Sequence, residues 1–420
     1  MVEKYLAAYW PTLGLDRGRF LALGAWEGAF NMTALAFRLS GHRSAVSRRH
    51  GEVARRMWHG LWPEGPEAAV PIVSITNGVH VPSWVAPEMA ALYRRYLGPD
   101  WLARHDDPTT WTAVAEIPDA ELWAARRTLK EHLLRLLRER ARRQWRDAGG
   151  GSAQTVAAGG LLDPETLTLG FARRFATYKR AALVLRDPAR LRVLLTDSRR
   201  PVQLIFAGKA HPADEAAKRV LQAVYRAATD PAYGGRIAFV EDYDLDLARH
   251  LVRGVDVWLN TPRPPLEASG TSGQKASLNG VPNASVLDGW WAEAYDGTNG
   301  WAIGAADPGP DDPEARDAAD AEALYRVLGE EIVPRYYARD ADGLPAGWLR
   351  VVRRAIQTVA PRFSARRMVK EYVDRLYRPA RPAAAATASR GGVSMEPRQA
   401  TLDELPKSVP DAPAALGEVS

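Results

Sequence analysis

The chain has 420 residues, 46% of them hydrophobic, which is enough for a substantial core and suits two domains or one large domain with appendages. It has no cysteine, which excludes disulfides, thiolate metal sites and cysteine nucleophiles. Its 56 basic residues are nearly matched by 50 acidic ones, so the net charge of +6 argues for local clusters suited to a small anionic substrate and against a nucleic-acid partner.

The opening "MVEKYLAAYW" lacks the basic-then-apolar order of a signal peptide. Arg, Asp or Pro interrupts every apolar run short of the roughly 20 residues that cross a bilayer. A cytoplasmic protein with no membrane contact is expected. Leu21 to Trp58 is helix-compatible, with turns predicted at Gly41 and Gly51. "AVPIVSITNGVHVPSW" then reads as a buried strand, Ile72 to Ile75, ending in an Asn-Gly turn. Asp119 to Trp145 carries Leu122, Leu129, Leu133 and Leu136 at helical spacing, with arginines opposite, and Gly149, Gly150 and Gly151 stop it. Its basic face is expected to be ordinarily solvated.

Beyond it, "TLTLGFARRF", "PVQLIFAGKA", "RIAFVED" and "VDVWLNTP" are short apolar runs, each followed by a helical stretch. That alternation predicts an α/β fold with a parallel, doubly wound sheet and ligands at the carboxyl ends of its strands. Residues 379–420, rich in Ala, Pro and Ser without apolar periodicity, are expected to form a mobile tail.

Two strand ends carry chemistry. In "FARRFATYKR", Arg173, Arg174, Lys179 and Arg180 crowd a predicted strand-to-helix junction, where guanidinium forks and a helix N-terminus together favour phosphate. In "VDVWLNTPRPPLEASGTSGQK", Glu267 leads into a turn of small residues from Ser269 to Gly273, with Lys275 beyond. A nucleotide P-loop is excluded, because Gln274 precedes the lysine and Ala276 follows it. The small residues would still admit a phosphate to the backbone amides. Spacing leaves open whether Lys275 forms a covalent bond to pyridoxal phosphate or only clamps a phosphate. No metal site is expected.

"EASGTSGQKASLNG", "VLDGWW" and "DGTNGWAIG" together resemble the cofactor signature of the α-glucan (glycogen, starch and maltodextrin) phosphorylases. "RRFATYKR", "ITNGVHVPSW", "IFAGKAHPADEAAK" and "HGEVARRMW" are similar to segments of the shorter bacterial branch of that family, in the same order, so the match runs from about Gly24 to Tyr377. The resemblance implies a GT-B type fold, here one complete Rossmann-like C-terminal lobe plus a remnant of the N-terminal lobe. It places the remnant at residues 1–75, the catalytic and cofactor lobe at 76–378 and the tail at 379–420. It also implies retaining phosphorolysis of the non-reducing end of an α-1,4-glucan or maltodextrin by inorganic phosphate, giving α-glucose 1-phosphate. The cofactor would be pyridoxal 5'-phosphate, its phosphate acting as proton relay.

By the same resemblance, Lys275 would anchor the cofactor and Thr271, Ser272 and Gly273 would surround its phosphate. Arg174 and Lys179 would grip the substrate phosphate, and Arg173 stands where the family usually has a lysine near the cofactor phosphate. Glu267, Ser269, Gly270, Tyr178 and Asn77 would hydrogen-bond glucose hydroxyls. His42 stands one position out of register with a loop histidine of the family site. His80, Lys209 and His211 read equally well as structural. "RSAVSRRH" departs from the Asn-Gly-Val-like family pattern.

The chain also starts late in the family's pattern, so the resemblance implies a partner: a homo-oligomer or a separately supplied N-terminal lobe. An inactive fragment that binds cofactor or glucan, or half of a split enzyme, is the alternative, and the chain alone is expected to have little phosphorolytic activity. A sugar-nucleotide transferase of the same fold fits less well. Many of those carry a second glutamate eight positions after the first, to accept hydrogen bonds from ribose, and a lysine cannot.

Overall fold

In the computed structural model, residues 2–147, 162–304 and 312–380 are described. The glycines expected to stop the long helix and all but the first two positions of the expected tail lie outside them. The chain forms two compact units. Of the described residues, one unit comprises 2–44, 54–73 and 372–380, and the other those within 45–53 and 74–371.

In the first unit, helices Arg17–Leu23 and Met32–Leu39 flank a hairpin of β1 (Ala25–Trp26) and β2 (Ala29–Phe30). Asp16 and Asn31 cap the two helices by accepting backbone N–H bonds. Leu15, Phe20 and Leu23 form its apolar centre. Two further strands, β3 (Ser44–Ala45) and β4 (Val73–Ser74), pair with each other. The predicted strand from Ile72 to Ile75 is thus only two residues long. Gly51 is not a turn: it lies buried within the helix Arg48–Met57.

The second unit is built on six parallel strands: β5 (Leu167–Ala172), β6 (Val202–Ala207), β7 (Ile237–Val240), β8 (Val257–Asn260), β9 (Asn283–Val286) and β10 (Gly300–Ile303). Their spatial order is β10-β9-β8-β5-β6-β7, so the chain winds one way from β5 and the other way from β8. This is the doubly wound arrangement expected, and the reversal opens a crevice beyond the carboxyl ends of β5 and β8.

Alternation along the strands explains the two covered faces. Leu167, Leu169, Phe171, Val202, Leu204, Phe206, Val257 and Leu259 enter one core. Ala172, Ile205, Ala207 and Trp258 enter the other, with Leu133, Leu134, Leu137, Leu247 and Leu251. Each large side chain fully buried this way contributes about 1.5–3 kcal/mol, and a one-residue slip of register would exchange the side chains of two differently shaped cores and so cost packing on both faces. Gly254 lets the helix Leu245–Gly254 touch the helix Asp119–Asp147, since a Cβ there would lie 2.5 Å from that of Leu133.

On the Asp119–Asp147 helix the basic face is solvated as expected, with Arg127, Arg135, Arg142 and Arg143 exposed, and the exceptions lie on its leucine side. Arg126 and Lys130 are buried. Arg126 donates to the carbonyls of Arg253, Val255 and Asn279, and Lys130 lies 2.6 Å from Asp256 and bonds the Tyr336 hydroxyl at 3.0 Å. Among the described residues no helix is long and apolar enough to cross a membrane.

Candidate functional site

The site lies where the strand order reverses. After β5 the chain does not enter an α-helix as expected. It makes short 3-10 turns at Thr177–Lys179 and Leu183–Leu185, and the next α-helix begins at Pro188. The helix-dipole argument for an anion here therefore fails, and side-chain charge has to carry it. Gly208 keeps the loops after β5 and β6 together, because a Cβ there, at φ +151°, would lie 2.0 Å from the Arg173 carbonyl oxygen.

Arg180 is the second correction. It is 5% exposed, in left-handed backbone (φ +49°). Its guanidinium donates to Asp317 at 2.8 Å, Asp320 at 2.6 Å and the carbonyls of Thr261 and Pro262. Its charge is spent on bracing the loops, so three cations remain of the four expected.

Of these, Arg173 and Lys179 converge on the buried carboxylate of Glu267, at 2.7 and 2.6 Å. Arg173 also donates to the side-chain carbonyl of Asn260, the last residue of β8, whose amide bonds Ser285 at 3.0 Å. The Tyr178 ring lies under the Lys179 amine at 4.6 Å. Arg174 is exposed, and its side chain has no hydrogen-bond or ion-pair partner among the described residues. Three cations and one carboxylate leave two uncompensated positive charges, which match one dianionic phosphate.

The peptide run after Glu267 is held residue by residue. Asp288 accepts from the Glu267 amide at 2.9 Å, Ser47 donates to the Ala268 carbonyl at 2.7 Å, and the Trp290 amide donates to the Ser269 carbonyl at 2.9 Å. Among the described residues the Ser269 hydroxyl is buried without a partner, as are Arg173 Nε and Gln274 Oε1. Such orphans cost free energy unless a ligand satisfies them, so two of them beside Glu267 point to a polar guest. Gly270 (φ +82°) lies against Glu267, where a Cβ would be 3.3 Å from Oε1.

Lys275 sits on the short helix Ser272–Ser277. Its amine lies 4.0 Å from the centre of the Trp84 ring and has no ion pair among the described residues. Burial lowers its pKa, which favours the neutral, nucleophilic amine. Thr271 is half-buried with its hydroxyl unpaired among the described residues. The Ser272 hydroxyl accepts from the Trp258 indole at 3.1 Å. Gly273 faces inward: a Cβ would lie 2.1 Å from Asn283 Oδ1. Asn77 is joined to this helix through its carbonyl, which accepts from Gln274 at 3.0 Å.

His42 is exposed and belongs to the first unit. His80 bonds Ser83 at 2.8 Å, and His211 accepts from the Ala213 amide, so both have local roles. Sequence reasoning missed Asn260, Asp288, Trp84 and Tyr243, which lies close enough to Arg173 for the guanidinium to lower its hydroxyl pKa against a larger rise from burial. Asn260 had a legible signal as the only polar residue of its strand. The other three acquire their positions through tertiary packing.

A doubly wound lobe with a cationic, carboxylate-bearing crevice at its switch point defines an α/β protein, and the lobe is of the kind that GT-B folds contain. Residues 21–297 match the carbohydrate phosphorylase family, and the chain belongs to that family. It is 46% identical to the glycogen phosphorylase of Aquifex aeolicus over 382 residues, 90% of this chain and 54% of that protein. It is also 46% identical to the glycogen phosphorylase of Mycobacterium bovis over 87% of this chain and 42% of that one. The maltodextrin phosphorylase of Thermococcus litoralis is 44% identical over 90% of this chain and 44% of its own length. The chain spans about half the length of these relatives.

Proposed function

We propose that this chain is an α-1,4-glucan phosphorylase, transferring the non-reducing terminal glucose of a glycogen or maltodextrin chain to inorganic phosphate to give α-glucose 1-phosphate. The observation that carries the reading is the Arg173–Glu267–Lys179 cluster at the strand switch point of a chain in the carbohydrate phosphorylase family. Lys179 and Arg174 would hold the substrate phosphate. Glu267 and the Ser269 hydroxyl would receive glucose hydroxyls, with Gly270, Tyr178 and Asn77 completing the sugar contacts. An unpaired buried hydroxyl and a buried carboxylate are what a sugar needs, since each unmatched hydroxyl of bound glucose would lose affinity. The carboxylate also keeps Arg173 and Lys179 extended into the crevice before phosphate arrives.

The residues also fit pyridoxal phosphate. Lys275 offers a desolvated amine without an ion pair, and the orphaned Arg173 Nε and free Thr271 hydroxyl offer donors for a phosphate. Lys275 would hold the cofactor covalently, with Thr271, Ser272, Gly273 and Arg173 around its phosphate. When bound, the cofactor supplies a phosphate that exchanges a proton with the substrate phosphate. Arg173 lies between the two roles, through Glu267 on one side and its free Nε on the other.

The test is to add pyridoxal phosphate to the purified chain and follow cofactor absorbance, with Lys275→Ala as control, then to assay glucose 1-phosphate release from maltodextrin. A spectral change in the native chain but not in the variant is expected. Identical spectra would remove the cofactor assignment. Phosphate-independent glucose release would remove the reaction.

A further inference from the structure

We propose that Asp288 is a positioning residue for substrate binding: it holds the peptide run Glu267–Ser269 in the form that presents the Glu267 carboxylate and the Ser269 hydroxyl to the sugar. The inference rests on the phosphorylase reading above. It adds a residue to which no substrate contact or chemical role has been given.

Asp288 follows β9 and is 1% exposed. Its two carboxylate oxygens serve two amides, those of Glu267 and of its own neighbour Gly289, each at 2.9 Å. No hydrogen bond joins it to a lysine or arginine among the described residues, so both oxygens are used to place backbone. The next residue completes the device. Gly289 has φ +54°, and a Cβ there would lie 2.4 Å from the Ser269 carbonyl oxygen and 2.9 Å from that of Glu267. Trp290 then donates its amide to Ser269. Asp288 and Trp290 thus hold the two ends of the run, Glu267 and Ser269, with Gly289 allowing the close approach and Ser47 holding the Ala268 carbonyl between them from elsewhere in the same unit.

A carboxylate is a costly choice for holding backbone. Burial pushes the Asp288 carboxyl up to about 6, against the pull of its two amide bonds; Glu267 raises it further and Arg49 lowers it. A clamp needing two acceptor oxygens works only while the group is ionised. It should therefore be complete above neutral pH and be lost as pH falls through 6. Asparagine would keep one acceptor and turn an N–H toward the other amide.

The experiment measures glucose 1-phosphate binding by calorimetry at pH 7.5 for the full chain, Asp288→Asn and Ser47→Ala. Glucose, which does not ionise in the range, is titrated between pH 5 and 8. Asp288→Asn should bind glucose 1-phosphate ~10-fold more weakly, the loss of one charge-assisted bond. Its glucose affinity should be flat with pH, where the native chain weakens as pH falls through 6. Ser47→Ala, which removes an independent hold, should weaken binding ~3-fold and decides the matter if Asp288→Asn does not fold. Native-like affinity and pH profile in folded variants overturn the inference and leave the phosphorylase reading standing. Absence of glucose 1-phosphate binding by the native chain overturns both.

Discussion

Glu267→Gln isolates the electrostatics of the crevice. The substitution keeps shape and one acceptor oxygen but leaves Arg173 and Lys179, whose side chains are each 10% exposed, facing a neutral amide. Removing one partner of a buried ion pair costs 3–5 kcal/mol in general. Arg173 retains Asn260, so the lower end applies here, about 3 kcal/mol. For a protein of this size that corresponds to a fall in Tm of about 3–4 °C. The same change frees two cations for an external anion. Phosphate at 100 times its Kd returns about 2.7 kcal/mol, so the variant should regain most of its Tm in phosphate buffer. The native chain should respond less, because Glu267 competes for the same donors. Thermal melts of both proteins, with phosphate titrated at constant ionic strength, read the effect directly. Equal Tm values without phosphate, or an equal rise in both proteins, would refute the view that Glu267 and phosphate share one set of cations.

Two further predictions concern stability. Asp288 has its folded pKa raised from 3.8 to about 6, so its ionised form is penalised in the folded state. The penalty is absent below the unfolded pKa, grows through the window from about 4 to 6, and is complete above it, reaching ~3 kcal/mol for a shift of about two units. The stability of the native chain relative to Asp288→Asn should fall by up to that amount between pH 4 and 7 in urea unfolding; a constant difference contradicts the sign. Lys130→Met leaves Asp256 buried with only the Thr168 amide, at 2.8 Å, and should cost about 3–5 kcal/mol by the same measurement. A loss within about 1 kcal/mol of zero would mean that Asp256 does not need the ammonium.

Short continuous apolar runs alternating with helical stretches were enough to predict β5 to β8 and the doubly wound sheet, because a parallel strand covered on both faces is apolar nearly throughout. β9 and β10 escaped that reading: "NASV" and "GWAI" contain Asn283, Ser285 and Gly300, whose polar or absent side chains serve the site and the packing beneath it. Residue type and family motif brought Arg173, Lys179, Glu267 and Lys275 to notice, since buried charge at strand ends is costly and rarely incidental. Charge counting went wrong at Arg180, and leucine spacing alone did not reveal that Arg126 and Lys130 share the buried side of their helix. Local sequence records that a cation is present, but not whether acceptors from distant segments will surround it. Asp317 and Asp320 arrive from a helix after β10, and Asp256 from the residue just before β8. The amino-acid order by itself therefore determined the fold class, the family and the chemical types at the site. Tertiary structure decided which cations are free and which peptide run is clamped by Asp288, because each of those outcomes depends on partners far away in the chain.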